Sequence, residues 1–242
     1  MSAQQATRGR GLLAAALTSV ADWLVEPAPE AAVADSPEPE TVPCPVVAVV
    51  GLRHRTGVTT VARGLGAVLA AADSGGACVV TAAAGGNSVP LGLPAAGRLT
   101  RRLSPLVQGR VRASGRLCLV EDADHVALCA TSRGLAPVVL DVAEPAQAAA
   151  LASLADHVVL VAGPDAEPAL AAVVAESLAV VGPPPAIVLN RSGRAAAGWV
   201  GGDHIALPES RLAAQLAGAG REPRGPMGEA LAELVRRLGT DP

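Results

Sequence analysis

The sequence predicts an α/β domain: a mostly parallel central sheet with helices on both faces. Three observations predict it. Short, continuous apolar runs recur at 46–50, 77–80, 138–140, 158–161 and 186–189, and such runs read as strands buried on both faces. Helical stretches fall between several of them, notably 59–72 and 168–181, which is the alternation of a parallel sheet. Hydrophobic residues make up 50% of the 242, chiefly Ala, Val and Leu, with Phe and Tyr absent and Trp23 and Trp199 the only aromatics. Small side chains suit helices packed closely on a sheet.

Taken in order, residues 1–25 contain an expected amphipathic helix. Over 11–25, Leu13, Leu17, Val20 and Leu24 share one stripe at helical spacing. This helix docks on its own domain, pairs with a copy of itself, or makes a weak membrane-surface contact. Arg8 and Arg10 are its only nearby positive charges and Asp22 offsets one, which favours docking over membrane contact. Arg8, Arg10 and the apolar 12–20 also have the outline of an export signal, but the apolar part is short and Ala-rich. The expected location is cytoplasmic. Residues 26–45 read as a linker: Pro27, Pro29, Pro37, Pro39, Pro43 and Pro45 forbid regular helix, and Glu26, Glu30, Asp35, Glu38 and Glu40 add unbalanced charge. Residues 46–242 form the main domain. A short helix is expected near 98–108, two strands at 117–120 and 126–130 joined through 121–125, and helices near 209–217 and 227–238.

Charge and cysteine content narrow the function. The net charge is −3, and every one of the 19 basic residues is Arg. There is no broad basic run and almost no aromatic surface for base stacking, so no sequence-specific nucleic-acid binding is expected. Cys44, Cys78, Cys118 and Cys129 form no CxxC pair and read as free thiols. His54, His125, His157 and His204 are scattered, and Ser132 and Ser192 lack the Gly-x-Ser-x-Gly setting of a nucleophile. Catalytic residues are therefore not assigned.

The segment 46–72, VVAVVGLRHRTGVTTVARGLGAVLAAA, carries the candidate site. A strand, a Gly-containing loop, paired Thr and a helix make the layout of a phosphate cradle, because backbone N–H groups at a helix start favour an anion. A hydroxyl there commonly binds Mg²⁺. The strict phosphate-loop pattern fails: Gly51 and Gly57 are one residue too far apart, and Val58 stands where Lys should precede Thr59.

Here the chain resembles the MinD/ParA family of deviant Walker-A P-loop ATPases, whose loop reads KGGxGKTT. Arg53, His54, Arg55, Thr56, Gly57, Val58, Thr59 and Thr60 lie over that motif. Arg53 replaces the signature lysine and Val58 the Walker lysine, while Gly57, Thr59 and Thr60 are retained. The resemblance continues over about 46–239. Residues 137–141 (PVVLD) look like the Walker-B strand, 155–161 like the next core strand, 187–191 (IVLNR) like the Asn-Arg motif that contacts adenine, and 204–209 (HIALPE) like the last strand and its Pro turn. The family's acidic pair after the second strand is absent, since 81–87 reads TAAAGGN.

The resemblance implies ATP or ADP at Gly51, Arg53, Arg55, Thr56, Gly57, Val58, Thr59, Thr60, Asn190, Arg191 and Pro208, with Mg²⁺ held by Thr59 and Asp141. It also implies a homodimer, an unidentified protein partner and a role in spatial positioning or assembly. Each residue has a plainer reading too. Arg53 and Arg55 are solvated loop charges, Thr59 and Thr60 helix caps, Asp141 a strand-end ion-pair partner, and Asn190 a turn residue. With the lysines and the acidic pair gone, efficient ATP hydrolysis is not expected. Two alternatives remain: an active ATP-driven switch using Arg in place of Lys, and a peripheral membrane organiser working through 11–25.

Overall fold

A computed structural model describes residues 44–73, 75–81, 99, 103, 110–121, 129, 133–194, 197–199 and 202–240. The chain divides into two units, Met1–Thr41 and Val42–Pro242, and every described residue belongs to the second. The helix expected at 11–25, and all of the expected linker except Cys44 and Pro45, lie outside the described residues.

The apolar runs are strands. They are β1 (Val46–Gly51), β2 (Ala77–Thr81), β4 (Leu117–Glu121), β5 (Val138–Val142), β6 (His157–Ala162), β7 (Ala186–Asn190) and β8 (Ile205–Leu207). With β3 (Arg110–Ser114) they make one sheet in the order β3-β4-β2-β5-β1-β6-β7-β8. Every pairing is parallel except β3 with β4, an antiparallel hairpin at the edge. The order turns at β1, with β5, β2 and β4 to one side and β6, β7 and β8 to the other. In such sheets the crevice at the carboxyl ends of the strands, beside the turning point, is where ligands bind.

The continuous apolar runs follow from burial on both faces. In β1, Val46, Ala48 and Val50 enter one core, and Val47 and Val49 the other. Helix α1 (Val58–Ala72), α4 (Arg211–Gly218) and α5 (Pro226–Leu238) cover the second core through Leu65, Leu69, Ala213, Leu231 and Leu234. Helix α2 (Ala148–Ala152) and α3 (Pro168–Ala179) cover the first through Leu151, Ala171 and Leu178. Gly66 lets α1 approach the sheet closely, because a Cβ there would run into Val79 Cγ2. Ser210 caps α4 by accepting from Ala213 N, and Gly239 ends α5 in the left-handed region.

Two local expectations differ from the structure. The strand 117–120 pairs antiparallel with β3, a strand that is not among those expected. Cys129, placed in the expected strand 126–130, is helical and buried against the first core. An apolar run of that length does not distinguish strand from buried helix. Of the four free cysteines, Cys78, Cys118 and Cys129 are buried and Cys44 is half-buried. Among the described residues no helix is long and apolar enough to cross a membrane.

Candidate nucleotide site

The loop after β1 is shaped by its glycines. A Cβ on Gly51 would meet Val58 Cγ2 at 2.7 Å and Thr56 Oγ1 at 3.0 Å, so the loop folds back over a residue that must be small. Thr56 is buried and its hydroxyl donates to Arg53 O at 3.2 Å, closing a tight turn. Arg55 has φ 63° and Gly57 φ 91°. Gly57 is the N-cap of α1 and offers no side chain, and the helix has no acidic residue in its first turn. The amino end of this 15-residue helix carries the partial positive charge that favours an anion.

Val58 occupies the position where the family motif has lysine. It is buried, and its side chain packs over Gly51. Where the resembled motif has a cation, this loop has an apolar contact with its own backbone. Arg53, His54 and Arg55 are exposed. Arg55 is the described non-glycine residue in the loop with positive φ, and it lines cavities on two sides of the loop.

Thr59 and Asp141 meet beneath the helix start. Thr59 Oγ1 donates to Asp141 Oδ1 at 3.2 Å, and Thr81 Oγ1 donates to Asp141 Oδ2 at 3.3 Å. Sheet order brings this about: β2 and β5 are neighbours, with Thr81 opposite Asp141. Asp141 is only 1% exposed. Burial pushes its carboxyl above the usual range, while the Thr59 hydroxyl, the Arg63 charge and the Thr81 hydroxyl pull it back down. A hydroxyl and a carboxylate at one point suit a hard divalent cation with oxygen ligands. Donating its proton to Asp141 leaves the Thr59 oxygen lone pairs free for such a cation, so the residues present fit Mg²⁺. Among the described residues no group of three or more His, Cys, Asp or Glu could hold a metal ion.

Asn190 and Arg191, at the end of β7, fasten the loop. Asn190 Nδ2 donates to Thr56 O at 2.8 Å, and Arg191 Nη2 to Arg55 O at 3.4 Å. A Cβ on Gly57 would run into the Asn190 amide. A side chain here would have to displace that amide at φ 91°, so the position favours glycine.

The expected site residues converge in part. Arg55, Gly57, Thr60, Asn190, Arg191 and Pro208 line one cavity of about 220 Å³, walled also by Ser210, Arg211 and Met227. Arg53, Arg55, Thr56 and Arg191 line a second, of about 330 Å³, whose far wall is the loop 163–166 after β6. That loop is propped by buried Trp199, whose Nε1 donates to Ala166 O at 2.8 Å. Gly51, Val58, Thr59 and Asp141 line neither cavity.

Sequence reasoning missed Thr81, Arg63 and the α4 residues of the first cavity. Thr81 ends an apolar run, and its role depends on sheet order, which the sequence does not show. Arg63 lies one helical turn after Thr59, is buried, and donates from Nη1 to Gly218 O at 3.0 Å, at the carboxyl end of α4. A charged residue inside an apolar helix was the available signal.

No family model matches the chain, and no curated protein matches it. Solved structures do. A ParA family ATPase from Chlorobium tepidum TLS is 13% identical with a TM-score of 0.54, over 81% of this chain and 99% of that one. A Cyanothece McdA variant in complex with ATP is 15% identical with a TM-score of 0.57, over 81% and 96%. The Aquifex aeolicus MinC:MinD cell division protein complex is 17% identical with a TM-score of 0.53, over 82% and 97%. At these identities the likeness speaks to architecture, and it agrees with the strand order and the loop-to-helix layout described above. The chain from β1 to α5 therefore has the MinD/ParA-type P-loop fold.

Proposed function

We propose that the protein acts in spatial positioning or assembly, through partner binding and dimerisation, and that it holds Mg²⁺-ATP or ADP without efficient hydrolysis. One observation carries the reading. Val58 is buried over Gly51 inside a loop that otherwise keeps its cradle: Gly57 at the helix start, and Thr59 on Asp141. A loop with no ligand would have little reason to retain a buried carboxylate bonded to two hydroxyls.

Binding and turnover part company on magnitude. Helix-end amides and oxygen ligands act on the ground state and remain. A preorganised cation at the transferring phosphate acts on the transition state, and its loss costs on the order of 3 kcal/mol. The acidic pair absent from 81–87 removes a second contribution. Together these bring turnover close to background. The ATP of the McdA complex and the MinC partner of MinD, as those structures are named, support nucleotide and partner binding as the mode of action here.

The test is a titration of the full-length protein with labelled ATP and ADP, with and without Mg²⁺, alongside steady-state phosphate release. Mg²⁺-dependent binding with near-background release is expected. Turnover at the rate of ordinary family members sinks the reading.

A second reading, an ATP-driven switch using Arg for Lys, is favoured by Arg55 alone. It lines both cavities and holds a left-handed backbone conformation, which non-glycine residues seldom adopt without support. Under this reading Arg55→Ala abolishes ATP turnover. Under the first, it weakens binding and leaves the low turnover unchanged.

A further inference from the structure

A larger cavity lies away from the loop. It is a groove of about 900 Å³ between α1, the β3–β4 turn and α4. Its floor is apolar, with Ala67 and Ala70 from α1, Leu117 from β4 and Leu216 from α4. Leu212 stands at its side 68% exposed, the most exposed Leu among the described residues. Three arginines, Arg116, Arg221 and Arg224, line it against one acid, Glu222. All three are exposed, and none makes an ion pair among the described residues. The chain as a whole is acidic, at −3, so this local positive excess runs against the general charge.

We infer that this groove docks an acidic amphipathic helical segment of a protein partner. An apolar centre with charges at its rim is the layout of a protein interface. A trough between helices takes the apolar stripe of an amphipathic helix. The alanine floor lets the incoming backbone come close, Leu212 adds apolar area at the edge, and the arginines meet carboxylates bidentately. Helix α4 connects the groove to the candidate nucleotide site. Ser210, Arg211 and Ala214 wall the 220 Å³ cavity, while Leu212, Ala213 and Leu216 line the groove. A segment seated in the groove therefore bears on the same helix that walls the cavity. The docking inference stands whether or not nucleotide binds.

The test uses full-length protein and a labelled synthetic peptide of about 18 residues, roughly five helical turns, with Leu at helical spacing and Glu elsewhere, read by fluorescence anisotropy. A counterpart carrying Lys for every Glu is the control. The acidic peptide is expected to bind at least about tenfold tighter than the Lys peptide, with affinity that falls as salt rises. Leu212→Asp and the pair Arg116→Glu/Arg221→Glu are each expected to cost about tenfold or more while the circular dichroism spectrum and Tm stay unchanged. Equal binding of both peptides, or no binding, overturns the inference. So does peptide binding that neither variant weakens. Self-association that Leu212→Asp abolishes would also overturn it, by making a second copy the occupant.

Discussion

Thr59 Oγ1 donates to Asp141 Oδ1 at 3.2 Å, joining the first turn of α1 to the neighbouring strand β5 beneath the phosphate loop. The contact spans 82 residues of sequence and is made in a loop without a lysine. It holds a buried carboxylate beside the first turn of α1, where Thr59 and Asp141 would supply oxygen ligands to a divalent cation.

Asp141 makes stability depend on pH in a definite direction. Burial raises its folded carboxyl above the ordinary value of 3.8. Between the unfolded and folded values the folded state binds more protons, so this contribution is full below the unfolded value and is lost as pH rises through the folded one. Asp141→Asn removes the titration and can keep hydrogen bonds to both threonines. In Mg²⁺-free buffer, the stability of Asp141→Asn minus that of the wild type is expected to grow as pH rises from about 4 to about 7. Urea unfolding across that range checks it. A flat difference would mean that Asp141 is not perturbed. The same variant is expected to lose the Mg²⁺-dependent part of nucleotide binding.

Val58→Lys tests the exchange of cation for packing. The side chain is buried over Gly51, so losing its apolar contact should cost about 1–2 kcal/mol and lower the Tm of the unliganded protein. A lysine reaching phosphate should add about 1.5–3 kcal/mol to nucleotide binding, roughly tenfold or more in affinity. Opposite shifts in Tm and ATP affinity are the expected signature, read by calorimetry and titration. Parallel losses in both would mean that the loop no longer admits a phosphate.

Gly57 and Asn190 should behave as one unit. Gly57→Ala places a Cβ into the Asn190 amide at φ 91°, and is expected to destabilise by at least about 2 kcal/mol. Asn190→Ala leaves Thr56 O without its 2.8 Å partner, for about 1–3 kcal/mol. The double variant relieves the collision but keeps the backbone strain. It should therefore be less destabilised than the sum of the singles, by at least about 0.5 kcal/mol in a double-mutant cycle. Strict additivity would show that the two residues do not touch.

Much of the fold is legible because a parallel sheet buried on both faces writes itself as continuous apolar runs. The edge is not. At β3, Arg110 and Arg112 occupy a strand, so apolarity gives no signal, and only pairing with Leu119 and Glu121 of β4 makes it one. Cys129 reads as strand because a buried helix turn and a buried strand share composition. In the site, Gly57, Thr59, Asp141 and Asn190 are legible by their order along the chain. Their partners are harder to see: Thr81 reaches Asp141 through sheet order, and Arg63 reaches Gly218 through the packing of α4 on α1. Both depend on tertiary neighbours. The order of motifs also does not show that Val58 turns inward over Gly51.

Under the proposed function, the cradle holds nucleotide and does not turn it over. The most direct measurement is a time course of retained label, with full-length protein incubated with α-radiolabelled ATP and Mg²⁺ and the retained nucleotide separated into ATP and ADP. The expected result is retained label that stays ATP over many minutes and vanishes with chelator. Retained label that converts to ADP and is released over repeated cycles, or no retained label at all, would contradict it.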